Sequence, residues 1–173
     1  MRSLTNKDEF LPRREHLLFF RALNADAKEW LWNKCEIIDF QEEELVVKVG
    51  ELSPSFFGLL TGCVGVSMDE EGHDVYLNTL GAGQIFGEAA MFLKSPRTAS
   101  VKTLEPSVIL KLTRFDFLDF LAKFPRDGNK ALLALMYGLL NKLRSSNEEL
   151  AFERRDDTSQ DDIDALVKEL TGS

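Results

Sequence analysis

Apolar residues in the first third of the chain recur at helical intervals. In PRREHLLFFRAL, residues 12–23, Leu17, Leu18, Phe20 and Leu23 fall at mixed three- and four-residue spacing, which predicts a helix. Asn24 or Asp26 then caps a second short helix, DAKEWLWN. From residue 35 the texture changes to short apolar-rich runs: CEIIDF, ELVVKV, SFFGLL, CVGVSM, HDVYLNTL, QIF, TASVKTL and SVILKL. Eight of the eleven glycines lie between Gly50 and Gly87, and DEEG (69–72) reads as a hairpin turn. Seven or eight short strands so closely spaced predict a compact antiparallel sandwich or barrel. Helical texture returns in RFDFLDFLAKF (114–124), Pro125 interrupts it, and a long segment runs from about Asp127 to Glu153.

Composition narrows the class. At 173 residues the chain is long enough for one well-buried domain and a modest extension. No apolar run approaches the roughly 18 residues of a membrane span, and the start, MRSLTNKDEF, lacks the apolar core of a signal peptide. Cys35 and Cys63 sit inside apolar runs, which predicts buried, reduced thiols and a cytoplasmic protein. The net charge of −8 is uneven: residues 147–173 hold nine acids against three bases, a sum of −6, and the rest is close to neutral. With no basic stripe to neutralise phosphates along a duplex, nucleic-acid binding is not expected. The histidines, His16 and His73, are far apart and belong to no metal-ligand motif, so neither a metal nor an enzyme is expected.

In FGEAAMFLKSPRTASV, residues 86–101, Glu88 and Arg97 stand nine positions apart in mostly small and apolar company. A strand followed by Gly87 and the helix-compatible GEAAMFL turns sharply and presents N–H groups that an anion can approach. Arg97 adds a planar fork suited to two phosphate oxygens. A carboxylate beside it is unsuited to phosphate, but it accepts hydrogen bonds from a sugar hydroxyl. Together they point to a nucleotide whose phosphate folds back on its sugar. An internal Glu88–Arg97 salt bridge is the other account of the same two charges.

The stretch resembles the phosphate-binding cassette of the cyclic nucleotide-binding domains, of the catabolite activator and protein kinase regulatory-subunit type, as a stand-alone bacterial-type member. That cassette has the form F-G-E-(apolar)-A, about nine residues, then P-R-(T/S/A)-A-(T/S)-V. GELSPSFFGLLTG (50–62) and LGAGQIFGE (80–88) match further motifs of the same family, and the likeness extends over about residues 15–145. It implies an α+β fold, an antiparallel β-roll (a jelly-roll-like barrel) flanked by N-terminal helices and a long C-terminal helix. The division is then an N-terminal helical segment 1–34, the β-roll 35–112 with the cassette at 86–99, C-terminal helices 113–155 and an acidic tail 156–173. The implied ligand is cAMP or cGMP, with no other cofactor. Glu88 takes the ribose 2′-hydroxyl and Arg97 the phosphate oxygens. The N–H groups of Ala89, Ala90, Thr98 and Ala99 complete the cradle, and Gly87, after Phe86, permits the close approach. Thr98 either reaches the 2-amino group of a syn guanine or bonds the phosphate. Ala89 and Glu51 depart from the usual residues without removing a ligand group.

Met136, Leu140, Leu143 and Leu150 recur at spacings of four, three and seven. The stripe either covers the domain's own strands or makes a parallel homodimer through helix 127–153, with Asn147 setting register. About twenty residues follow, too few for a DNA-reading domain, so the expectation is a sensor that relays ligand state to a partner protein. A ligand-free adaptor is the alternative. In the tail, Ser159 and Asp162 have capping-box spacing, and Ile163, Leu166, Val167 and Leu170 fall at i, i+3, i+4 and i+7. SQDDIDAL resembles the N-terminal peptide of the bacterial flagellar motor switch protein, which implies helix-in-groove binding of 159–170 to a receiver domain. Docking on its own domain or dimer mate is the other reading.

Overall fold

The computed structural model describes residues 2–4, 7–70, 73–93 and 95–145. The chain divides into two units, Met1–Leu135 and Met136–Ser173.

The N-terminal segment is less helical than its periodicity predicts. It opens with a strand, β1 (Arg2–Ser3), which pairs antiparallel with β2 (Glu36–Phe40) and occupies an edge that β2 would otherwise leave bare. Two 3₁₀ turns follow, Asp8–Phe10 and Arg13–His16, then α1 (Leu18–Arg21) and α2 (Ala25–Lys34). The helix predicted over 12–23 breaks at Leu17, whose backbone is extended at φ −75°, ψ 115°. The cause is packing. Leu17 fills the space above Gly58 so closely that a Cβ at Gly58 would lie 2.7 Å from its Cδ1. Asn24, not Asp26, caps α2, its Oδ1 accepting the Ala27 N–H at 2.9 Å. At the other end of α2 the Lys7 ammonium donates to the carbonyls of Trp32, Asn33 and Cys35 at 2.7, 3.2 and 2.9 Å. A cation there adds a donor for carbonyls at and just past the helix C-terminus, where intrahelical N–H partners run out.

The remaining strands are β3 (Leu45–Val47), β4 (Ser55–Thr61), β5 (Cys63–Glu70), β6 (His73–Gly81), β7 (Ile85–Phe86), β8 (Ser100–Thr103) and β9 (Ser107–Thr113). They form two antiparallel sheets, β1-β2-β9-β4-β7 and β3-β8-β5-β6. The result is a roll of two sheets rather than a closed barrel. Alternation along each strand sorts side chains between two cores. Ile38, Phe40, Phe57, Leu59, Phe86 and Ile109 of the first sheet meet Val47, Val64, Leu80 and Val101 of the second. Their neighbours Ile37, Phe56, Leu60, Leu110 and Leu112 face the helical layer, against Phe19, Phe20, Leu31, Trp32, Phe117 and Phe120. The first sheet is therefore buried on both faces, which is why SFFGLL reads as a continuous apolar run. Of the two thiols, Cys35 is buried but Cys63 only half-buried, a correction to the expectation for that residue.

Thr113 caps α4 (Arg114–Lys123), accepting the Asp116 N–H at 3.1 Å. The helix breaks at Phe124, and α5 runs from 125 to 145. Pro125 suits a first helical position, where the missing N–H costs nothing. Asp127, in the first turn of α5, is buried and accepts from the backbone N–H and Nδ2 of Asn24 at 3.0 and 2.7 Å. Ala131 and Leu135 of α5 join the helical core. Residues 146–173, with Asn147, Leu150 and the tail, lie outside the described residues.

Candidate functional site

β7 ends at Phe86, and Gly87 turns the chain in the left-handed region, at φ +72°. Glu88 takes the cap position of α3 (Ala89–Phe92), which ends at Leu93 with an extended backbone. The Arg97 backbone is fastened on both sides. Its N–H donates to the Glu51 carbonyl at 3.0 Å, and its carbonyl accepts the Gly50 N–H at 2.8 Å.

Glu88 and Arg97 are both buried, each 7% exposed. Arg97 directs its hydrogen bonds at backbone, not at the carboxylate: Nη1 donates to the Gly87 carbonyl at 2.9 Å and Nη2 to the Ser55 carbonyl at 2.6 Å. Its Cζ lies 5.6 Å from the centroid of the Phe57 ring. That ring stacks on Phe86 at 5.2 Å and 16°. Burial pushes the guanidinium pKa down, while the charges of Glu51 and Glu88 push it back up. It remains a cation, as arginine does in proteins.

Five N–H bonds leave a guanidinium, and the two carbonyls occupy one on each Nη. Nε is buried and has no hydrogen-bond partner among the described residues. A buried donor left unmet costs about 1–3 kcal/mol, and more when charged. An oxyanion meets that need, because Nε and the adjacent Nη form a parallel edge for two oxygens. Ala89 and Ala90 open α3, where amides lack intrahelical acceptors. Among the described residues no group of three or more His, Cys, Asp or Glu is placed to hold a metal ion. No described helix is long and apolar enough to cross a membrane.

Residues 37–124 match the cyclic nucleotide-binding domain profile. The chain belongs to that family. The cAMP-activated global transcriptional regulator CRP of Haemophilus influenzae is 27% identical over 124 residues, covering 70% of this chain and 54% of the regulator. The cAMP-dependent protein kinase type II regulatory subunit of Drosophila melanogaster is 36% identical over 62 residues, covering 36% of this chain and 16% of the subunit. The chain thus spans about half the length of the transcriptional regulators it matches. In fold it is similar to a cyclic nucleotide-binding domain from Methylobacillus flagellatus, with a TM-score of 0.77, 24% identity and 86% of each chain covered.

In this cyclic nucleotide-binding domain, tertiary structure brings Phe86, Gly87, Glu88 and Arg97 together. Ala89 and Ala90 follow in α3, and Thr98, exposed, and Ala99, half-buried, follow Arg97 directly. Ile163, Leu166, Val167 and Leu170 lie outside the described residues. Four contributors escaped the sequence reading: the Ser55 carbonyl, the Phe57 ring, the Glu51 carbonyl and the Gly50 N–H. The Phe57 signal lay within GELSPSFFGLLTG, which recommends an aromatic there without saying what it touches.

Proposed function

We propose that the chain is a sensor for a cyclic nucleotide, cAMP or cGMP, that binds without hydrolysing it and acts through a partner protein in the cytoplasm. The observation that carries this reading is the buried Arg97 guanidinium, its Nε unmatched beside a glycine turn. Arg97 takes the phosphate and Glu88 the ribose 2′-hydroxyl. The amides of Ala89, Ala90, Thr98 and Ala99 complete the cradle, and Thr98 is the residue at which guanine and adenine are told apart. The C-terminal helix carries the signal. Its Met136, Leu140 and Leu143 are 52, 57 and 59% exposed, an apolar stripe suited to a homodimer through 127–153. Segment 159–170, by its apolar spacing, is the contact for a receiver-type partner.

Thermal unfolding with and without each nucleotide tests the reading. Ligand at a hundred times its Kd adds about 2.7 kcal/mol, or roughly 5–10 °C for a chain of this length. A rise with cAMP or cGMP is expected in the wild type. It should vanish in Arg97→Lys, which keeps the charge but loses the fork. No rise with either nucleotide overturns the proposal.

A further inference from the structure

We propose that Phe57 is a positioning residue for the phosphate-binding arginine, its ring face holding the Arg97 guanidinium in register with the cradle. The inference rests on the nucleotide-sensor reading and adds a residue to it.

Two hydrogen bonds, to the carbonyls of Ser55 and Gly87, tether Nη1 and Nη2. Bonds of this kind run near the guanidinium plane, so a pair of them leaves the plane free to tilt about the line that joins them. A contact with an aromatic face removes that freedom. Phe57 supplies one, with Cζ 5.6 Å from the ring centroid, inside the range where a ring face attracts a cation.

The ring is itself held by packing. Phe57 pairs in register with Phe86 across β4 and β7, and their rings stack. Both are buried. The same two strand ends therefore provide the aromatic pair and the carbonyl pair. Ser55 stands two residues before Phe57 on β4, and Gly87 directly follows Phe86 on β7. Gly87 also keeps the space open, since a Cβ there would meet both Arg97 Nη1, at 2.6 Å, and Phe57 Cδ2, at 3.5 Å. Burial disfavours the guanidinium's charge, which Glu51 and Glu88 favour, and the ring face is one more favourable contact for the cation. Arg97 is thus set before ligand arrives, and a ligand need not bear the cost of ordering it.

The test is a series of 4-fluoro-, 3,5-difluoro- and 3,4,5-trifluorophenylalanine at position 57, with the same series at Phe120, buried in the helical core, as control. Fluorine draws charge from the ring face at nearly constant volume, so packing is kept while the cation's attraction falls. In the unliganded protein, the ¹⁵N order parameter of Arg97 Nε should fall stepwise toward the flexible range below about 0.6. The Kd for whichever of cAMP and cGMP the wild type binds should rise in parallel, about tenfold at trifluoro, equivalent to ~1.4 kcal/mol. The series at 120 should leave both readouts within twofold. Constant Arg97 order across the series at 57, or an equal loss from the series at 120, overturns the inference. Wild-type protein that binds neither nucleotide removes the sensor reading, and the Nε order parameters still decide the role of Phe57.

Discussion

Gly87→Ala places one methyl group where the site is tightest. The new Cβ would lie 2.6 Å from Arg97 Nη1 and 3.5 Å from Phe57 Cδ2, so the guanidinium must move while the ring stays. Because Nη1 ends a flexible side chain, its displacement is sterically cheap. What is lost is its 2.9 Å bond to the Gly87 carbonyl. Hydrogen bonds to charged groups are worth about 1.5–3 kcal/mol, and a left-handed backbone such as φ +72° costs alanine about 1–2 kcal/mol. The sum, about 2.5–5 kcal/mol, corresponds to a fall in Tm of about 5–20 °C. Thermal unfolding by circular dichroism, with calorimetric titration of cAMP and cGMP, reads both consequences: lower Tm and lost affinity. In Gly87→Ala/Arg97→Ala the clash has no partner, so the two destabilisations should sum to more than the double variant shows. A Tm within about 2 °C of wild type, or strict additivity, would refute the account of Gly87.

Asn24→Asp keeps a good helix cap but turns a donor into a carboxylate against Asp127, whose Oδ2 accepts from Nδ2 at 2.7 Å. Urea unfolding should show a loss of about 2–4 kcal/mol, restored by adding Asp127→Asn; a loss below about 0.5 kcal/mol contradicts the contact. Burial pushes the Asp127 carboxyl up, but the Asn24 N–H and Lys130 outweigh it and hold the pKa below its ordinary value. A depressed pKa gives stability that is whole above about pH 4 and lost as pH falls through the folded value. Wild-type urea midpoints should therefore fall more steeply below pH 4 than those of Asp127→Asn, and equal slopes would count against the linkage. Cys35 is buried, and burial pushes its thiol well up, whereas Cys63 is half-buried. In native protein an aromatic disulfide reagent should label Cys63 and reach Cys35 only after unfolding; equal native rates would disprove the burial argument.

Several elements were legible in sequence because their causes are local. Short apolar-rich runs punctuated by glycines marked the strands, Pro125 marked the break before α5, and Asn24 was one of two caps named. Leu17 was not legible. Its helical neighbours are set by spacing, but its extended backbone is set by Gly58, which lies 41 residues further on and leaves room for its side chain. β1 was missed for a similar reason, since two residues carry no periodicity and gain their pairing from a bare edge on β2.

At the site the division is sharper. By itself the sequence determined which charges are present and how far apart they stand, because Glu88, Arg97 and the small residues between them are matters of side-chain identity. It also determined the family, because those identities recur in a fixed order. What Arg97 bonds to was decided by tertiary structure alone. Its partners are main-chain carbonyls of Ser55 and Gly87, and every residue carries a carbonyl, so no letter in the sequence distinguishes the two that are used. Only the meeting of β4 and β7, with Phe57 opposite Phe86, selects them, and Nε stays buried with no partner among the described residues.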